Sequence, residues 1–575
     1  MHEPMHEAPH AAPTTFIGKY IFSFDHKVIG IQYLLTAILM AVVGGLLSLM
    51  IRLQLQHPEM QLLGPPEAYL AWVTMHGTIM VFFVVSLAIS GFANFLIPLQ
   101  LGARDMAYPM LNMLSYWTIV PSVLLMLASF FVPGGAAAAG WTMYPPLSAV
   151  PEAVPGSGLG TTFWLLGMAL FIASFTMGGL NFLTTIVNCR TKGMTMWRMP
   201  IAVWGFFIAT VLGLLAFPPL TAAALMLLFD RHGGTSFFVT EMVVNDQVLL
   251  PGAEGTPLLF QHLFWFLGHP EVYVLVLPCV LMTMEIIPVF TRRPMFGYRP
   301  SVWALFVIGF LSMIVWGHHM FVTGMNPYIG EYFSIATVII TAPFAILGVN
   351  LLASLWRAKI KPAVPMLFAL AVISAVGFGG FGGLFLGTVV SDIYFHETYF
   401  VVGHFHLMIG TVTLLSLFGA LYFWYPKMFG RRMSEKLGRI HFWFTAVPMI
   451  TIFILMHMQG LGGMLRRTYD PGAYDYNAGA NMMLRFPITA MAFILFLAQF
   501  VFFWNFFRSL KNGEEVGENP WDATTLEWTT PSPAGHGNWP GALPVVEHDP
   551  YEYDGDDFTP QGRVVETASE EGGNA

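Results

Sequence analysis

Long apolar stretches recur along the chain and constrain its fold more than any other feature. A helix needs about 20 apolar residues to cross the ~30 Å hydrocarbon core of a bilayer. Twelve stretches of about that length are present, over residues 28–50, 72–98, 110–132, 163–188, 201–228, 258–290, 301–321, 333–356, 365–387, 397–425, 440–460 and 483–508. The sequence therefore predicts an all-α membrane protein with twelve transmembrane helices.

The composition agrees with a chain that lies in lipid. Hydrophobic residues make up 56% of the chain and charged residues only 10%, whereas a soluble domain carries about 25% charged residues. Two cysteines are too few for a disulfide framework or a four-thiolate metal site. The net charge of −8 and the absence of a basic run in the sequence give no sign of nucleic-acid binding.

The distribution of positive charge predicts the orientation. We divide the chain into an N-terminal segment (1–27), a transmembrane domain (28–508) and a polar C-terminal tail (509–575). With twelve spans both termini lie on one side, and twenty of the 25 Lys and Arg residues fall on that side. Because cytoplasmic loops are enriched in Lys and Arg, we expect cytoplasmic termini and a multi-pass protein of the cell's inner membrane.

Six histidines lie at a similar depth on four of the predicted spans, near the outer side of the membrane. They are His76, His269, His318, His319, His404 and His406. Polar residues inside a membrane are costly and are functional by default. A single histidine of this kind is more often a hydrogen-bonded structural residue, but six at one depth favour metal binding.

Helical spacing separates these histidines. Residues two apart on an α-helix point about 200° apart, so His404 and His406 can each hold a different flat cofactor. His76 can then supply the second axial ligand of one haem and leave the other haem open to a gas.

The remaining three histidines suggest a separate metal site. His269, His318 and His319 form a three-imidazole set that suits copper, zinc or iron. Tyr273 lies one turn after His269 on the same helix face, where a phenol can supply a hydrogen atom for O–O cleavage. Glu271 points elsewhere and is an ionisable group in mid-membrane.

Several motifs around these residues resemble subunit I of cytochrome c oxidase, an aa3-type-like member of the haem-copper oxygen reductase superfamily. The motifs are TMHG (74–77), GWTMYPPL (140–147), WFLGHPEVY (265–273), WGHH (316–319), HETY (396–399), GHFH (403–406), RR (466–467) and NPWDATTLEW (519–528). The resemblance runs from about His26 to Pro533. It implies the haem-copper oxidase subunit I fold and the catalytic subunit of a respiratory-chain terminal oxidase.

The resemblance also implies cofactors and roles. The oxidase would reduce O₂ to water in a four-electron reaction, with electrons from cytochrome c, and would translocate protons. The implied ligands are His76 and His406 for low-spin haem a, His404 for high-spin haem a3, and His269, His318 and His319 for copper B. Tyr273 would be covalently joined to His269 and act as an electron and proton donor.

Further roles follow from the same resemblance. Arg466, Arg467 and Trp141 would bind haem propionates, Arg52 would bond the formyl group of the low-spin haem, and Trp265 would be a transiently oxidised residue near copper. Separately, His396 and Glu397 occupy the position of a Mg²⁺ site in which the family has His-Asp, so the longer Glu alters the expected geometry.

The resemblance extends to a pathway for proton delivery. Asp105, Asn94, Asn112 and Asn181 resemble the family's D pathway, which would end at Glu271, although each Asn alone is more often a helix-packing residue.

The family's lysine-dependent pathway is altered in this chain. Its lysine, threonine and serine positions fall on Leu347, Phe344 and Met284. We predict that this route is rebuilt or lost. Glu285 is either a replacement proton entry or a carboxylate at the lipid headgroups.

Three alternatives remain open. A nitric oxide reductase has a similar histidine layer but lacks the HPEVY pattern that contains Tyr273. A quinol oxidase shares all six histidines, but Ala68 and Ala71 stand at two of its quinol-binding positions. A transporter or passive haem scaffold would carry no redox chemistry. Because the chain lacks a Cys-rich dicopper motif, we expect subunit II with a dicopper site, subunit III and other oxidase subunits as partners.

Overall fold

The computed structural model describes residues 13–151, 153, 158–244, 246–477 and 479–564 of the 575-residue chain. Residues 1–12 of the predicted N-terminal segment and residues 565–575 of the predicted tail lie outside this description. Eleven helices in the described residues are long and apolar enough to cross a membrane, and a shorter helix lies between the sixth and the seventh of them.

The helices that correspond to the predicted spans are α1 (His26–Gln56), α2 (Pro66–Leu101), α3 (Pro109–Phe131), α4 (Leu159–Asn188), α5 (Ile201–His232), α6 (Pro257–Thr291), α7 (Tyr298–Ser312), α8 (Pro327–Leu355), α9 (Val364–Leu386), α10 (Tyr399–Phe429), α11 (Glu435–Leu461) and α12 (Asn481–Asn512). This order follows the twelve predicted spans. Helix α12 ends four residues beyond the predicted domain boundary at 508.

The predicted span 301–321 differs from the others. Helix α7 has only 15 residues, and a 3-10 helix follows over Trp316–Met320. Consecutive side chains on an α-helix point about 100° apart. In the 3-10 segment, the Nε2 atoms of His318 and His319 lie 3.1 Å apart. Because α7 ends before these residues, the imidazoles of His318 and His319 lie in a 3-10 helix, where they come close together.

Two long helices contain π-helical segments beside predicted ligands. In α2 the segment Ile79–Val85 follows His76, and in α10 the segment His406–Val412 begins at a predicted ligand. π-Helical insertions are frequent at functional sites. They change the helical register, so a spacing argument based on 3.6 residues per turn does not anticipate them.

Helix α6 is at the centre of the bundle. With the exception of Val272, every residue from Leu267 to Thr291 is buried. A helix that is apolar all round is a fully buried one, and α6 carries His269, Glu271 and Tyr273. The site on α6 is therefore surrounded by neighbouring helices.

Short strands lie outside the helices. They are β1 (Thr240–Val244), β2 (Gln247–Glu254), β3 (Arg431–Arg432), β4 (Glu514–Glu515), β5 (Pro544–Val546), β6 (Glu552–Asp554), β7 (Asp557–Thr559) and β8 (Gly562–Val564). The antiparallel pairs are β1–β2, β3–β4, β5–β8 and β6–β7.

The C-terminal segment, residues 513–564, packs against one end of the helical bundle. It buries Glu527, Trp528, Trp539, Tyr551 and Tyr553. The buried Lys427 of α10 anchors it, because the Lys427 ammonium donates to the carbonyl oxygens of Thr530 at 2.7 Å and Glu518 at 3.0 Å. The predicted tail is thus largely docked within the residues described.

Candidate metal and proton-transfer site

The His76 and His406 imidazoles lie nearly parallel, with ring centroids 6.3 Å apart and planes at 9°. Helix α2 supplies one ring and α10 the other. Metal–imidazole bonds are about 2 Å long. Two such bonds, on opposite sides of one metal ion, fit between rings at this separation. The pair can therefore hold one six-coordinate metal of a flat cofactor.

Backbone carbonyls fix the tautomers of these two rings. His76 Nδ1 lies 2.9 Å from the oxygen of Gly44, and His406 Nδ1 lies 2.9 Å from the oxygen of Val402. A carbonyl oxygen only accepts, so each Nδ1 carries the proton and each Nε2 keeps a free lone pair. This arrangement is typical of metal-binding histidines.

His404 faces a different helix from His406, as its spacing predicts. Its Nδ1 lies 2.8 Å from the Gly379 oxygen on α9, which again leaves Nε2 for a metal. Gly382 and Gly383 make room for the ring, because a Cβ at these positions would lie 3.2 Å and 3.0 Å from imidazole atoms of His404. The prediction of opposite facing is confirmed by these contacts.

His269, His318 and His319 converge on one point. One ligand atom from each lies within 4.8 Å of the others. His319 Nε2 is 3.1 Å from His318 Nε2 and 3.2 Å from His269 Nδ1. Since three metal–nitrogen bonds of about 2 Å subtend edges of roughly 3.3 Å, the cluster fits a single metal ion.

Thr337 fixes the tautomer of His318. The Thr337 hydroxyl donates to the Phe333 oxygen at 2.6 Å and therefore accepts the bond from His318 Nδ1 at 2.9 Å. The Nε2 atom of His318 is left as a bare acceptor. Thr337 carried no signal in the sequence, because a lone threonine on an apolar helix is common.

Tyr273 lies beside the three-histidine cluster. Its ring centroid is 4.8 Å from that of His269. The Nδ1 atom of His269 points at the cluster, while its Nε2 is buried and has no hydrogen-bond partner among the described residues. The predicted neighbours are thus brought together, and one imidazole nitrogen remains available towards a further group.

Trp265 packs flat on His319, with ring centroids 3.8 Å apart and planes at 7°. The Trp265 indole N–H donates to the Tyr144 hydroxyl. Trp141 lies edge-on to Trp265 at a centroid distance of 6.0 Å. Tyr144 was not singled out from the sequence, although it lies within the motif 140–147.

Arg467 presents an unsatisfied group next to Trp141. Its NH2 atom is buried without a partner among the described residues, and burial lowers the pKa of Arg467 to about 10. Gly140, with φ of +83°, lets the guanidinium approach, since a Cβ there would lie 2.7 Å from its NH1 atom. A buried, unpaired guanidinium nitrogen suits an anionic group of a bound cofactor.

Arg52 is a second buried cation with free donors. It is 6% exposed, and its Nε and NH1 atoms have no partner among the described residues. Its NH2 atom lies 3.5 Å from the Thr489 hydroxyl. The free donors suit a carbonyl-type oxygen of a bound cofactor.

Arg466 forms an ion pair with Glu397. Its guanidinium donates two hydrogen bonds to the Glu397 carboxylate, one of them at 2.5 Å. Its backbone N–H donates to the backbone carbonyl oxygen of Glu397 at 2.8 Å. Burial opposes ionisation of Glu397, but Arg466 outweighs it and lowers the pKa of Glu397 to about 2. His396 Nδ1 lies 2.9 Å from Asp392. Each Glu397 carboxylate oxygen thus accepts one bond from Arg466, and the Mg²⁺ site at His396 and Glu397 stays a prediction.

The predicted proton-path residues lie along one side of the bundle. Burial and the nearby Asp25 carboxylate raise the pKa of Asp105 to about 7. Asn181 bonds both backbone groups of Tyr108, at 2.9 Å and 3.1 Å. Both amide atoms of the buried Asn112, and Oδ1 of Asn94, lack partners among the described residues. Unpaired buried amide atoms are suitable partners for water.

A cavity of about 60 Å³ continues towards α6. It is lined by Tyr33, Ser90, Ser174 and Val274 among others, and Tyr33 bonds Ser115 at 3.1 Å and Ser174 at 3.4 Å. The volume holds more than one water molecule.

Glu271 lies on the same helix as Val274. The Ser86 hydroxyl is 3.4 Å from one of its oxygens, and its other oxygen, Oε2, is buried without a partner among the described residues. The cavity thus reaches α6 three residues from Glu271, whose free oxygen can accept a bond from a water molecule.

The positions of the lysine-dependent pathway are closed by apolar side chains. The Phe344 ring packs against Tyr273 at a centroid distance of 5.8 Å. Leu347 and Met284 are each 2% exposed. These contacts provide no hydroxyl or charged group at the three positions.

Glu285 is 1% exposed and therefore does not lie at the lipid headgroups. Its carboxylate accepts bonds from the Gln100 amide and from the Ala202 N–H at 3.2 Å. Gln100 also bonds Glu527 of the C-terminal segment at 3.1 Å. No sequence pattern connects these residues, which are up to 427 positions apart.

The comparisons with known proteins agree on a family. The model of the family described as "Cytochrome C and Quinol oxidase polypeptide I" matches residues 28–501. The chain is 46% identical over 566 residues to the alternative cytochrome c oxidase subunit 1 of Bradyrhizobium diazoefficiens, which covers 97% of this chain and 95% of the relative. It is 39% identical to cytochrome c oxidase subunit 1 of Thermostichus vulcanus, over 96% of this chain and 95% of the relative.

A solved structure also matches. A haem-copper terminal oxidase dimer, determined by cryo-electron microscopy, aligns with a TM-score of 0.71 at 19% sequence identity, over 85% of this chain and 84% of the other. At this identity the likeness establishes the fold.

Proposed function

The chain belongs to the cytochrome c and quinol oxidase polypeptide I family, and on this basis we propose that it reduces O₂ to water with electrons from cytochrome c and couples the reaction to proton translocation. As a subunit 1 of this family, it is a membrane-bound haem-copper oxidoreductase and the catalytic subunit of a terminal oxidase. The observation that carries the proposal is the three-imidazole cluster within 4.8 Å beside Tyr273.

We propose the cofactor ligands from this geometry together with what the family resemblance implies. His76 and His406 would hold a low-spin haem a, His404 a high-spin haem a3, and His269, His318 and His319 copper B. When bound, these groups would supply the oxygen-binding position and the electrons. The protein fixes its imidazoles through Nδ1–H bonds at 2.8–2.9 Å to Gly44, Gly379, Val402 and Thr337.

Tyr273 would deliver a hydrogen atom, that is, one proton and one electron, to the reacting oxygen. Its position next to His269, together with the free Nε2 of that imidazole, supports a covalent bond between Nε2 and a ring carbon of Tyr273. This bond would replace one N–H and one C–H bond, and the two protons and two electrons released would pass to O₂, the oxidant of the proposed reaction. Trp265, stacked on His319, would be a second oxidisable group. The complete reaction consumes four electrons and four protons for each O₂ and releases two waters.

Charged side chains would hold the cofactor edges. The unpaired NH2 of Arg467 supports a bond to a haem propionate, and the indole N–H of Trp141 would donate a second bond to it. Arg466 would also bind a propionate, because its bonds to Glu397 use only two of the five N–H donors of the guanidinium. The free donors of Arg52 support a bond to the formyl oxygen of haem a.

Protons would enter near Asp105 and reach Glu271. Asn112 and Asn94 offer unpaired amide atoms, and the cavity lined by Tyr33 and Ser174 provides space for water. Asn181 would shape the entrance through its bonds to Tyr108. We assign no transfer through Phe344 and Leu347, because neither side chain can carry a proton.

The electron source would be cytochrome c, through a dicopper partner subunit II, within a complex that also contains subunit III. Ala68 and Ala71 offer no side-chain hydrogen bond to a quinol, which disfavours a quinol oxidase. Tyr273 disfavours a nitric oxide reductase. The protein would lie in the cell's inner membrane with both termini in the cytoplasm, its transmembrane domain over residues 28–508.

An oxygen electrode tests this function. The purified complex should consume O₂ with reduced cytochrome c and be much slower with a quinol. Rapid turnover with the quinol alone would overturn the assignment of the electron source. Absence of O₂ consumption with both donors, in a complex loaded with haem and copper, would overturn the oxidase assignment itself.

A further inference from the structure

Two glutamates from distant parts of the chain meet through one buried amide. Glu285 belongs to α6, Glu527 to the C-terminal segment and Gln100 to the end of α2. Their exposures are 1%, 0% and 0%. Gln100 Nε2 bonds Glu285 Oε1, and it lies 3.1 Å from Glu527 Oε1. Two carboxyl groups thus share one donor in a site without contact to solvent.

The two carboxyl groups have unequal surroundings. Glu285 Oε2 accepts the N–H of Ala202 at 3.2 Å, in the first turn of α5, where the helix dipole favours negative charge. The Tyr551 hydroxyl also bonds Glu285, and it accepts the Ile201 N–H at 2.7 Å. Hydrogen-bond donors therefore stabilise the ionised form of Glu285.

Both oxygens of Glu285 accept hydrogen bonds, whereas only one oxygen of Glu527 does. Glu527 Oε1 accepts from Gln100 and from the Trp424 indole, each at 3.1 Å. Its Oε2 atom is buried without a partner among the described residues, and so is Oε1 of Gln100. An ionised carboxylate would leave a negatively charged oxygen without a donor, which is costly. Burial raises the pKa of Glu527.

No cation is paired directly with either glutamate in the described residues. The titratable groups that face the pair are Tyr298, Tyr551, Tyr553 and Lys427. Lys427 directs its ammonium at the carbonyl oxygens of Glu518, Thr530 and Pro531, not at Glu527. Because two like charges that share a site do not both ionise readily, the pair needs one proton.

We propose that Glu285 and Glu527 form a proton-binding site that holds a single proton between the helical bundle and the C-terminal segment. With this proton present, the pair carries one negative charge, and the Gln100 amide joins the bundle to the segment. Loss of the proton places two negative charges on either side of Gln100 and weakens the docking of residues 513–564. The site does not depend on the redox reaction proposed above.

The direction of the pH effect follows from burial. A carboxyl group that is held neutral in the folded state contributes its stabilisation at low pH and loses it as the pH rises through the folded-state pKa. Docking of the C-terminal segment should therefore weaken on the alkaline side. Glu527 belongs to the C-terminal segment, which covers one end of the helical bundle. The proton therefore does not have to cross the bundle to reach the site.

Infrared difference spectroscopy in H₂O and D₂O tests the proposal on the purified oxidase complex, with Glu527→Gln, Glu285→Gln and the exposed-control variant Glu435→Gln. Wild type and E435Q should show a carboxylic C=O band that disappears as the pH rises. E527Q should lack this band. E285Q should still show the band, but the pH at which it disappears should be lower than in wild type by about one unit or more, because the negative charge of Glu285 is gone.

Hydrogen exchange of residues 513–564 provides the second readout. Protection should fall with rising pH in wild type and stay constant in E527Q, which carries a neutral amide. If E527Q does not assemble, the shift of the band in E285Q decides. An unchanged band in E285Q, or a full-amplitude band in E527Q, would overturn the shared proton.

Discussion

Tyr273 lies one helical turn after His269, and the centroids of the two rings are 4.8 Å apart. This short separation places a phenol next to the three-imidazole cluster from within a single helix. A covalent bond to the free Nε2 of His269 and the transfer of a hydrogen atom from the phenol both require this proximity.

The first prediction concerns replacement of the Tyr273 phenol. Tyr273→Phe keeps the ring but removes the hydroxyl, so we expect O₂ consumption to fall by about 10²-fold or more, as for loss of a positioned proton donor, while haem and copper are retained. Tyr328→Phe, at a position 83% exposed, is the control. Turnover within about twofold of wild type in Y273F would show that the phenol has no part in the reaction.

The facing pair of imidazoles gives a second prediction. His406→Ala would remove one of the two proposed ligands of the low-spin haem, so we expect the optical signature of that haem to be lost while copper is retained. His57→Ala, in a side chain 49% exposed, should leave the spectrum unchanged. A normal low-spin spectrum in H406A would place the haem elsewhere.

Arg467 is expected to tune a haem potential. Arg467→Met removes a charge-assisted hydrogen bond, which is worth about 1.5–3 kcal/mol. An unpaired propionate stabilises the oxidised haem, so its midpoint potential should fall by on the order of 60–130 mV for a one-electron couple. Arg439→Met, on a side chain 45% exposed, should leave the potential unchanged in a redox titration, and an unchanged potential in R467M would argue against the contact.

Much of the site could be predicted from the sequence. The opposite facing of His404 and His406 follows from helical geometry, and the meeting of His269 with Tyr273 follows from their spacing on one helix. These predictions succeed because they depend on local periodicity within regular helices.

Other features depend on tertiary packing and could not be predicted. Two segments break the regular α-helical period: the 3-10 helix that contains His318 and His319, and the π-helical segment that begins at His406. Thr337 meets His318 only because α8 packs beside the 3-10 helix. The burial of Glu527 against Gln100 requires the docking of a polar segment whose composition favours an exposed tail.

Asp105 gives a prediction on pH. Its pKa is raised from 3.8 to about 7, so its neutral form favours the folded state, and its contribution to stability is lost as the pH rises through about 7. As a proton-collecting group it should also make turnover fall across that range. Asp105→Asn should lower turnover by roughly 10² and remove this pH dependence.

Asp556→Asn, at a side chain 93% exposed, is the control for Asp105 and should keep the wild-type profile. A pH profile of D105N identical to that of wild type, measured as O₂ consumption from pH 5 to 9, would assign the titration to another group.

The ion pair of Arg466 and Glu397 leads to a prediction about the binding of divalent cations in the outer loop. Each carboxylate oxygen accepts one bond from Arg466 and keeps a lone pair for a cation, so enzyme from cells grown with excess Mn²⁺ should show a stoichiometric Mn²⁺ signal in electron paramagnetic resonance. Arg466→Gln removes the bonds that hold Glu397 in place and should weaken the signal. Absence of stoichiometric Mn²⁺ in wild type would contradict a site at His396 and Glu397.

We propose that six histidines on four helical segments hold two haems and one copper. Pyridine haemochrome spectra combined with copper analysis of the purified complex test it most directly, after subtraction of the two coppers expected in subunit II. We expect two haems and one copper for each copy of this chain. A single haem, or non-haem iron in place of copper, would contradict it.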